Sequence, residues 1–245
     1  MSRPARSAAR AWFDLARAGN FPSVWSNVLA ALVLSSAAGY TWPAAVSWLL
    51  ATLAATLAYA GGTTLNDVAD LAFDRRHRPE RALPSGIVSR TTAALVGAGQ
   101  LAAGFAIFVF ALGASAAWAG ALVAVIVGYD WLHKRWAGSV LLMAGCRAFL
   151  GLTVASLPGH GFTPALLTWV SLLSAYIVTV TLLARAEYKP GAPAARLGRW
   201  VGRLLAFIPL VDATVLLAVG AWPMALACAA AIPLGRFAQR LAAST

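Results

Sequence analysis

The chain has 245 residues, of which 60% are hydrophobic and 11% are charged, and its mean hydropathy is +0.75. Soluble domains carry about 25% charged residues, so this composition excludes a water-soluble enzyme and indicates an integral membrane protein. The formal net charge of +11 does not indicate a nucleic-acid partner, because the basic residues fall in connections between apolar stretches rather than on one face of a soluble fold. The lipid bilayer is the partner that we expect for this charge.

Apolar stretches of about the length that crosses a bilayer as a helix recur along the chain. Continuous apolar runs favour helices over the alternating strands of a barrel. No polar stretch is long enough to fold alone, so we expect residues 1–245 to form a single all-α domain, a polytopic membrane helical bundle. The predicted spans number about eight, at roughly 22–40, 44–67, 91–112, 115–133, 138–157, 164–184, 203–220 and 222–240.

Lysine and arginine alternate between the two ends of these spans. The connections near 40–43, 113–115 and 220–223 contain neither residue, and the connection near 158–161 offers only His160. The remaining connections and both ends of the chain are basic. By the positive-inside rule, we expect both termini and the polar loops in the cytosol. The sequence therefore predicts a multi-pass protein of the inner (plasma) membrane with its active site on the cytosolic side.

The second span ends in a cluster of acidic and amide side chains, with the sequence N-D-V-A-D-L-A-F-D from Asn66 to Asp74. On a helix, Asn66, Asp70 and Asp74 follow one another at every fourth position along one face, and Asp67 lies beside that face. These side chains repel one another unless a cation joins them, and Mg²⁺ prefers such oxygen ligands. Carboxylates at a membrane border are costly, so we interpret the cluster as a metal site rather than a solvated helix end.

An arginine-rich loop follows the acidic cluster directly, with the sequence R-R-H-R-P-E-R-A-L-P-S-G from Arg75 to Gly86. Arginine binds phosphate oxygens through two parallel hydrogen bonds. The positive-inside rule accounts for arginines here, but not for their framing by proline and glycine. Together, the acidic cluster and the loop predict a site for a metal-bound diphosphate.

The spacing N-D-x-x-D-x-x-x-D followed by R-x-L-P-S-G resembles the UbiA superfamily of intramembrane prenyltransferases. The resemblance covers essentially the whole chain. It implies a helical bundle around a central cavity that is open to lipid. It also implies Mg²⁺-dependent transfer of a prenyl group from a polyprenyl diphosphate to a small-molecule acceptor, aromatic or other.

The resemblance further implies roles for individual residues. The metal ligands would be Asn66, Asp67, Asp70 and Asp74. Asp70 and Asp74 would be catalytic, together with Lys134 at the end of the fourth span. Substrate contacts are expected from the lead-in sequence R-x-x-N, from the loop and from the fourth span, namely from Asn20, Arg81 and Tyr129.

The chain departs from the family between the sixth and seventh spans. Where the family usually has a second D-x-x-x-D motif, residues 183–191 contain Glu187 as their one acid. We expect Glu187 to be a remaining metal ligand, and Arg185 and Lys189 to contact the diphosphate. Ordinary charge of a cytosolic loop is an equal alternative for all three. The departure resembles a divergent branch of the superfamily, of the kind called EboC-like.

Two charged residues lie deep inside predicted spans, Arg147 in the fifth and Asp212 in the seventh. Charges at such depth face a cavity or a partner. The sequence leaves two roles open for Arg147: a pair with Asp212 that locks helices together, or a contact with substrate.

Two other functions stay open from the sequence. The degenerate second motif favours a catalytically weak or inactive component that binds or exports lipids or isoprenoids, whereas the intact first motif opposes it. The acidic cluster would also suit phosphosugar transfer onto a polyprenyl phosphate, which needs an added sugar pocket. The acceptor, the prenyl chain length and the oligomeric state cannot be deduced from the sequence.

Overall fold

A computed structural model describes residues 7–186 and 194–241 of the chain. Within these residues the chain forms eleven α-helices, a 3₁₀ turn at Ala18–Asn20 and a π-helical turn at Ile107–Ala111. The all-α prediction is therefore confirmed. The helices are α1 (Ala8–Leu15), α2 (Phe21–Ser35), α3 (Ala45–Ala69), α4 (Leu71–His77), α5 (Arg90–Ala106), α6 (Ala116–Leu132), α7 (Ser139–Ala155), α8 (Pro164–Ala186), α9 (Ala194–Ala206), α10 (Ile208–Ala218) and α11 (Trp222–Leu241).

Four helical stretches of the described chain are long and apolar enough to cross a membrane. Two shorter helices, α6 and α7, are also apolar. The number of eight spans stays a prediction. The four long stretches are Ala45–Ala69, Arg90–Ala111, Pro164–Ala186 and Arg196–Ala218.

The region of the predicted seventh span, 203–220, differs from the expectation of one uninterrupted helix. The chain leaves the helix at Phe207, between α9 and α10. Pro209 explains the interruption, because proline lacks an N–H and its ring collides with the carbonyl group four residues earlier. The stretch Arg196–Ala218 is therefore interrupted at Phe207. Its first part, in α9, is amphipathic, with Arg199 and Arg203 exposed and Val201 buried.

Helix α2 lies at the centre of the bundle. Thirteen of its fifteen residues are buried, and α3, α7, α10 and α11 pack around it. A helix that is apolar and enclosed on all sides is typical of a core position. The surrounding helices therefore share one hydrophobic core.

Close packing against α5 fixes the position of α3. A Cβ atom added at Gly61 would lie 2.6 Å from the carbonyl oxygen of Gly97, and one added at Gly104 would lie 2.7 Å from that of Ala54. Small residues at such positions let two helix backbones approach each other in membrane proteins. This contact holds the helix whose last turn carries the acidic cluster.

Candidate active site

The acidic cluster spans a break between two helices. α3 ends at Ala69, Asp70 caps it, and α4 begins at Leu71. The amide of Asp70 donates to the carbonyl of Asn66, and that of Asp74 donates to the carbonyl of Asp70, both at 2.9 Å. The four-residue spacing expected from the sequence is therefore kept, although the cluster occupies two helices rather than one.

Arginines hold two of the three carboxylates in the cluster. Nη2 of Arg17 donates to Oδ1 of Asp67 at 2.7 Å. Nη1 of Arg81 donates to Oδ2 of Asp74 at 2.9 Å and lies 3.5 Å from Oδ1 of Asp67. Asp67 and Asp74 are buried, with 6% and 2% of their surface exposed, so both carboxylates need the charge compensation that the arginines provide.

The end of α6 holds the third carboxylate. Nζ of Lys134 lies 2.6 Å and Nε2 of His133 lies 3.2 Å from Oδ1 of Asp70. Burial favours the neutral acid, but the hydrogen bonds from His133 and Lys134 outweigh it and lower the pKa of Asp70 below its ordinary value. Burial disfavours the imidazolium, but Asp70 raises the pKa of His133 above its ordinary value. Asp70 is thus an ionised carboxylate at neutral pH.

Arg17 reaches Asp67 from a strained backbone. Its φ of 49° is the only positive value at a non-glycine residue in the described chain. For an L-residue this left-handed conformation costs on the order of 1–2 kcal/mol, and such strain concentrates at functional sites. Arg17 opens the R-x-x-N lead-in. Asn20, at its end, donates instead to the hydroxyl of Tyr59 on α3 at 3.0 Å.

Two other predicted substrate contacts, Tyr129 and Arg185, contact His133. The ring of Tyr129 stacks on that of His133, with 5.1 Å between the ring centres. Arg185 donates to the carbonyls of His133 and Ala137 and to the hydroxyl of Ser139. Its guanidinium therefore ties the end of α8 to the connection between α6 and α7. Two further predicted residues lie outside the described chain, Glu187 and Lys189.

Arg147 belongs to a buried polar network between four helices. It donates to Oδ1 of Asn27 at 2.6 Å and to Oγ of Ser23 at 3.1 Å. The amide nitrogen of Asn27 donates in turn to Asp212 at 2.9 Å. Arg147 and Asp212 are therefore joined through Asn27 rather than directly. The buried polar network comprises Ser23, Ser26, Asn27, Arg147, Trp169 and Asp212.

The structure adds two residues that the sequence analysis missed, Asp130 and His133. Oδ1 of Asp130 accepts a hydrogen bond from Nδ2 of Asn66 at 3.2 Å, whereas its Oδ2 is buried without a hydrogen-bond partner. A signal was present: the chain has only eight acids, and Asp130 stands four residues before Lys134 at the end of an apolar run.

The donor atoms around the cluster suit Mg²⁺, which takes oxygen ligands from carboxylates and amides. Within the described residues, no three His, Cys, Asp or Glu side chains converge into a ready-made metal site. The buried Oδ2 of Asp130 is nevertheless an acceptor that the protein leaves unsatisfied. The residues therefore fit the ion by the chemistry of their donor atoms.

Comparison with known proteins gives one family match. Residues 24–244 match the UbiA prenyltransferase family. Digeranylgeranylglyceryl phosphate synthases of Metallosphaera sedula and Thermococcus gammatolerans are 43% identical over 56 residues and 41% identical over 65 residues. These alignments cover 23% and 26% of this chain, and the chain spans only 20% of the length of each relative.

Solved structures share the fold at low sequence identity. A structure described for digeranylgeranylglyceryl phosphate synthase in membranes has a TM-score of 0.62 and 15% identity, over 96% of this chain and 95% of that one. A UbiA homolog from Archaeoglobus fulgidus bound to DMAPP and Mg²⁺ has a TM-score of 0.57 and 14% identity, over 92% and 86% of the two chains. The apo form of a UbiA homolog from Aeropyrum pernix K1 also scores 0.57, with 15% identity over 91% and 98%.

Proposed function

Because this chain belongs to the UbiA prenyltransferase family, we propose that it transfers a prenyl group from a polyprenyl diphosphate to a small nucleophilic acceptor. One observation carries the proposal. Each carboxylate of the acidic cluster is bonded to a basic side chain of a type that binds phosphate. The site thus contains carboxylates that can bind the metal and basic side chains that can bind the diphosphate, in direct contact with each other.

In the free protein these acids and bases neutralise each other. The pairing of three carboxylates with three basic side chains stabilises these charges at a membrane border, where an isolated charge is energetically unfavourable. A metal diphosphate presents a cation to the acids and an anion to the bases. Both sets of side chains can therefore change partners together, and no buried charge is left uncompensated during the exchange.

We propose that Asn66, Asp67, Asp70 and Asp74 hold the metal. Bound there, Mg²⁺ would supply Lewis-acid stabilisation of the departing diphosphate, a contribution of several kcal/mol. The solved structure of an Archaeoglobus homolog with DMAPP and Mg²⁺ supports both the ion and the prenyl donor.

The basic residues then have a catalytic role of their own. Arg17, Arg81 and Lys134 would bind diphosphate oxygens and hold positive charge where negative charge develops as the carbon–oxygen bond breaks. The electron pair of that bond leaves with the diphosphate. The acceptor forms a bond to the allylic carbon and loses its proton. By the positive-inside rule we place this chemistry on the cytosolic side of the membrane.

Release of pyrophosphate from a panel of prenyl diphosphates tests the proposal, with purified full-length protein, with and without nucleophilic acceptors. We expect release that requires Mg²⁺, stops on chelation and recovers when Mg²⁺ is restored. Asp70→Asn should remove it, and the matched control Asp14→Asn should retain it, since Asp14 pairs with Arg10 on α1. Tight binding of every prenyl diphosphate without turnover of any would instead favour a lipid-binding component.

A further inference from the structure

Asp130 has a carboxylate oxygen that the protein does not use. Its Oδ1 accepts from the amide of Asn66 at 3.2 Å, while its Oδ2 is buried and has no hydrogen-bond partner. Leaving a buried acceptor unsatisfied costs about 1–3 kcal/mol, and more for a charged group. An ordered water or a bound ion commonly satisfies such an atom.

The other acids of the chain have different positions. Of the eight acids, three belong to the acidic cluster itself. Asp14 pairs with Arg10, Asp212 belongs to the buried polar network, Glu80 lies exposed in the loop after α4, and Glu187 lies outside the described residues. Within the described chain, Asp130 is therefore the one acid that a second helix brings against the cluster.

The C-terminal end of α6 lies against the acidic cluster. Asp130 contacts Asn66, and the next turn places His133 and Lys134 on Asp70. At the described end of α8, Arg185 is bonded to the connection after α6 and to Ser139. Among the described residues, the carboxylate facing the cluster thus comes from α6.

We propose that Asp130 completes the metal site from this facing helix. Oδ1 orients the amide of Asn66, whose nitrogen points to Asp130 and whose oxygen is thereby left for the metal, and Oδ2 is a further metal ligand, directly or through water. A fourth carboxylate raises the affinity for a divalent cation. The inference rests on the proposed function, since it requires a divalent ion at the cluster.

Manganese binding to the purified full-length protein tests the role of Asp130 apart from turnover. Mn²⁺ is titrated by electron paramagnetic resonance, alone and with a non-reactive geranyl thiodiphosphate. Asp130→Asn keeps an acceptor for Asn66 but removes the charge, so we expect Mn²⁺ affinity to fall at least about tenfold with little change in the melting temperature. Asp130→Ala should lower it at least as far, and Asp14→Asn should stay within about twofold of the wild type.

Three outcomes would overturn the inference. Wild-type affinity in Asp130→Asn, together with loss in Asp70→Asn, would remove Asp130 from the site and leave the proposed function intact. Loss in Asp130→Ala alone would show that Asp130 only orients Asn66. Wild-type affinity in Asp70→Asn as well would contradict the metal site itself, and with it the proposed function.

Discussion

Charged side chains lie inside this bundle at two places, the acidic cluster and the buried polar network, and their partners differ. In the network, Arg147 donates to Asn27 and Ser23, and Asp212 accepts from Ser26, Asn27 and Trp169. In the cluster, the carboxylates depend on long basic side chains, and Lys134 is 38% exposed.

The difference indicates what each region does. In the network, buried and uncharged side chains bond to Arg147 and Asp212, which is typical of a group that fixes helix packing. Arginine and lysine side chains can leave a carboxylate and bind a phosphate instead. One oxygen of Asp130 is not satisfied at all. We therefore assign stability to the network and ligand binding to the cluster, and the following variants test that division.

Asp212→Ala should have the largest effect on stability. It removes the acceptor of three side chains and leaves Arg147 charged and buried, which costs about 3–5 kcal/mol. Thermal unfolding in detergent should show a much lower melting temperature or no folded protein. Adding Arg147→Met to Asp212→Ala should recover part of the loss. A stable single variant with a raised KM for the prenyl diphosphate would favour substrate contact by Arg147 instead.

Asp70→Asn should have the largest effect on turnover. Loss of one metal-binding carboxylate is expected to lower kcat for pyrophosphate release by about 100- to 1,000-fold, the equivalent of several kcal/mol. The melting temperature should stay close to that of the wild type, because the partners of Asp70 reach solvent. A melting temperature that falls as far as in Asp212→Ala would contradict the assignment of ligand binding to the cluster and of stability to the network.

Arg81→Gln should lower turnover by about 100-fold, since Arg81 contacts both Asp67 and Asp74 and the loss of one donor to developing charge costs at least about this much. Arg76→Gln is the matched control, because Arg76 is exposed on α4 in the same arginine-rich region. Steady-state kinetics at saturating Mg²⁺ separates the two. Equal losses would mean that the loop acts through its overall charge.

Arg185→Gln should have the smallest effect on turnover. The guanidinium ties α8 to the connection between α6 and α7, so we expect a loss of about 1–2 kcal/mol in stability and a change in kcat within about threefold. A tenfold rise in the KM for the prenyl diphosphate with unchanged stability would instead support the direct contact between Arg185 and the diphosphate that the sequence predicts.

The helical bundle and the four-residue spacing within the acidic cluster could be predicted from the sequence, for physical reasons. Bilayer thickness imposes a length on apolar runs, and the four-residue spacing from Asn66 to Asp74 survives the helix break at Asp70. The interruption at Phe207 was not predicted, because the apolar run continues across it, although Pro209 was a usable signal.

Contacts between distant helices were harder to predict. The matched depths of Arg147 and Asp212 indicated a connection, but the bridging amide of Asn27 lies on α2, far away in the sequence. Arg185 bonds mainly to backbone carbonyls. Because every residue has a carbonyl, the sequence does not indicate which ones Arg185 contacts. Which face of α6 meets α3 depends on packing, and Asp130 was missed for that reason.

Ligand-induced stabilisation tests most directly whether the acidic cluster exchanges its basic partners for a metal diphosphate. Melting temperatures of the full-length protein are measured with Mg²⁺ and a prenyl diphosphate together, and with each alone. We predict a rise in the wild type that needs both ligands, no rise in Asp70→Asn, and an undiminished rise from a lower starting point in Asp212→Asn. An equal rise in Asp70→Asn and the wild type would contradict the account.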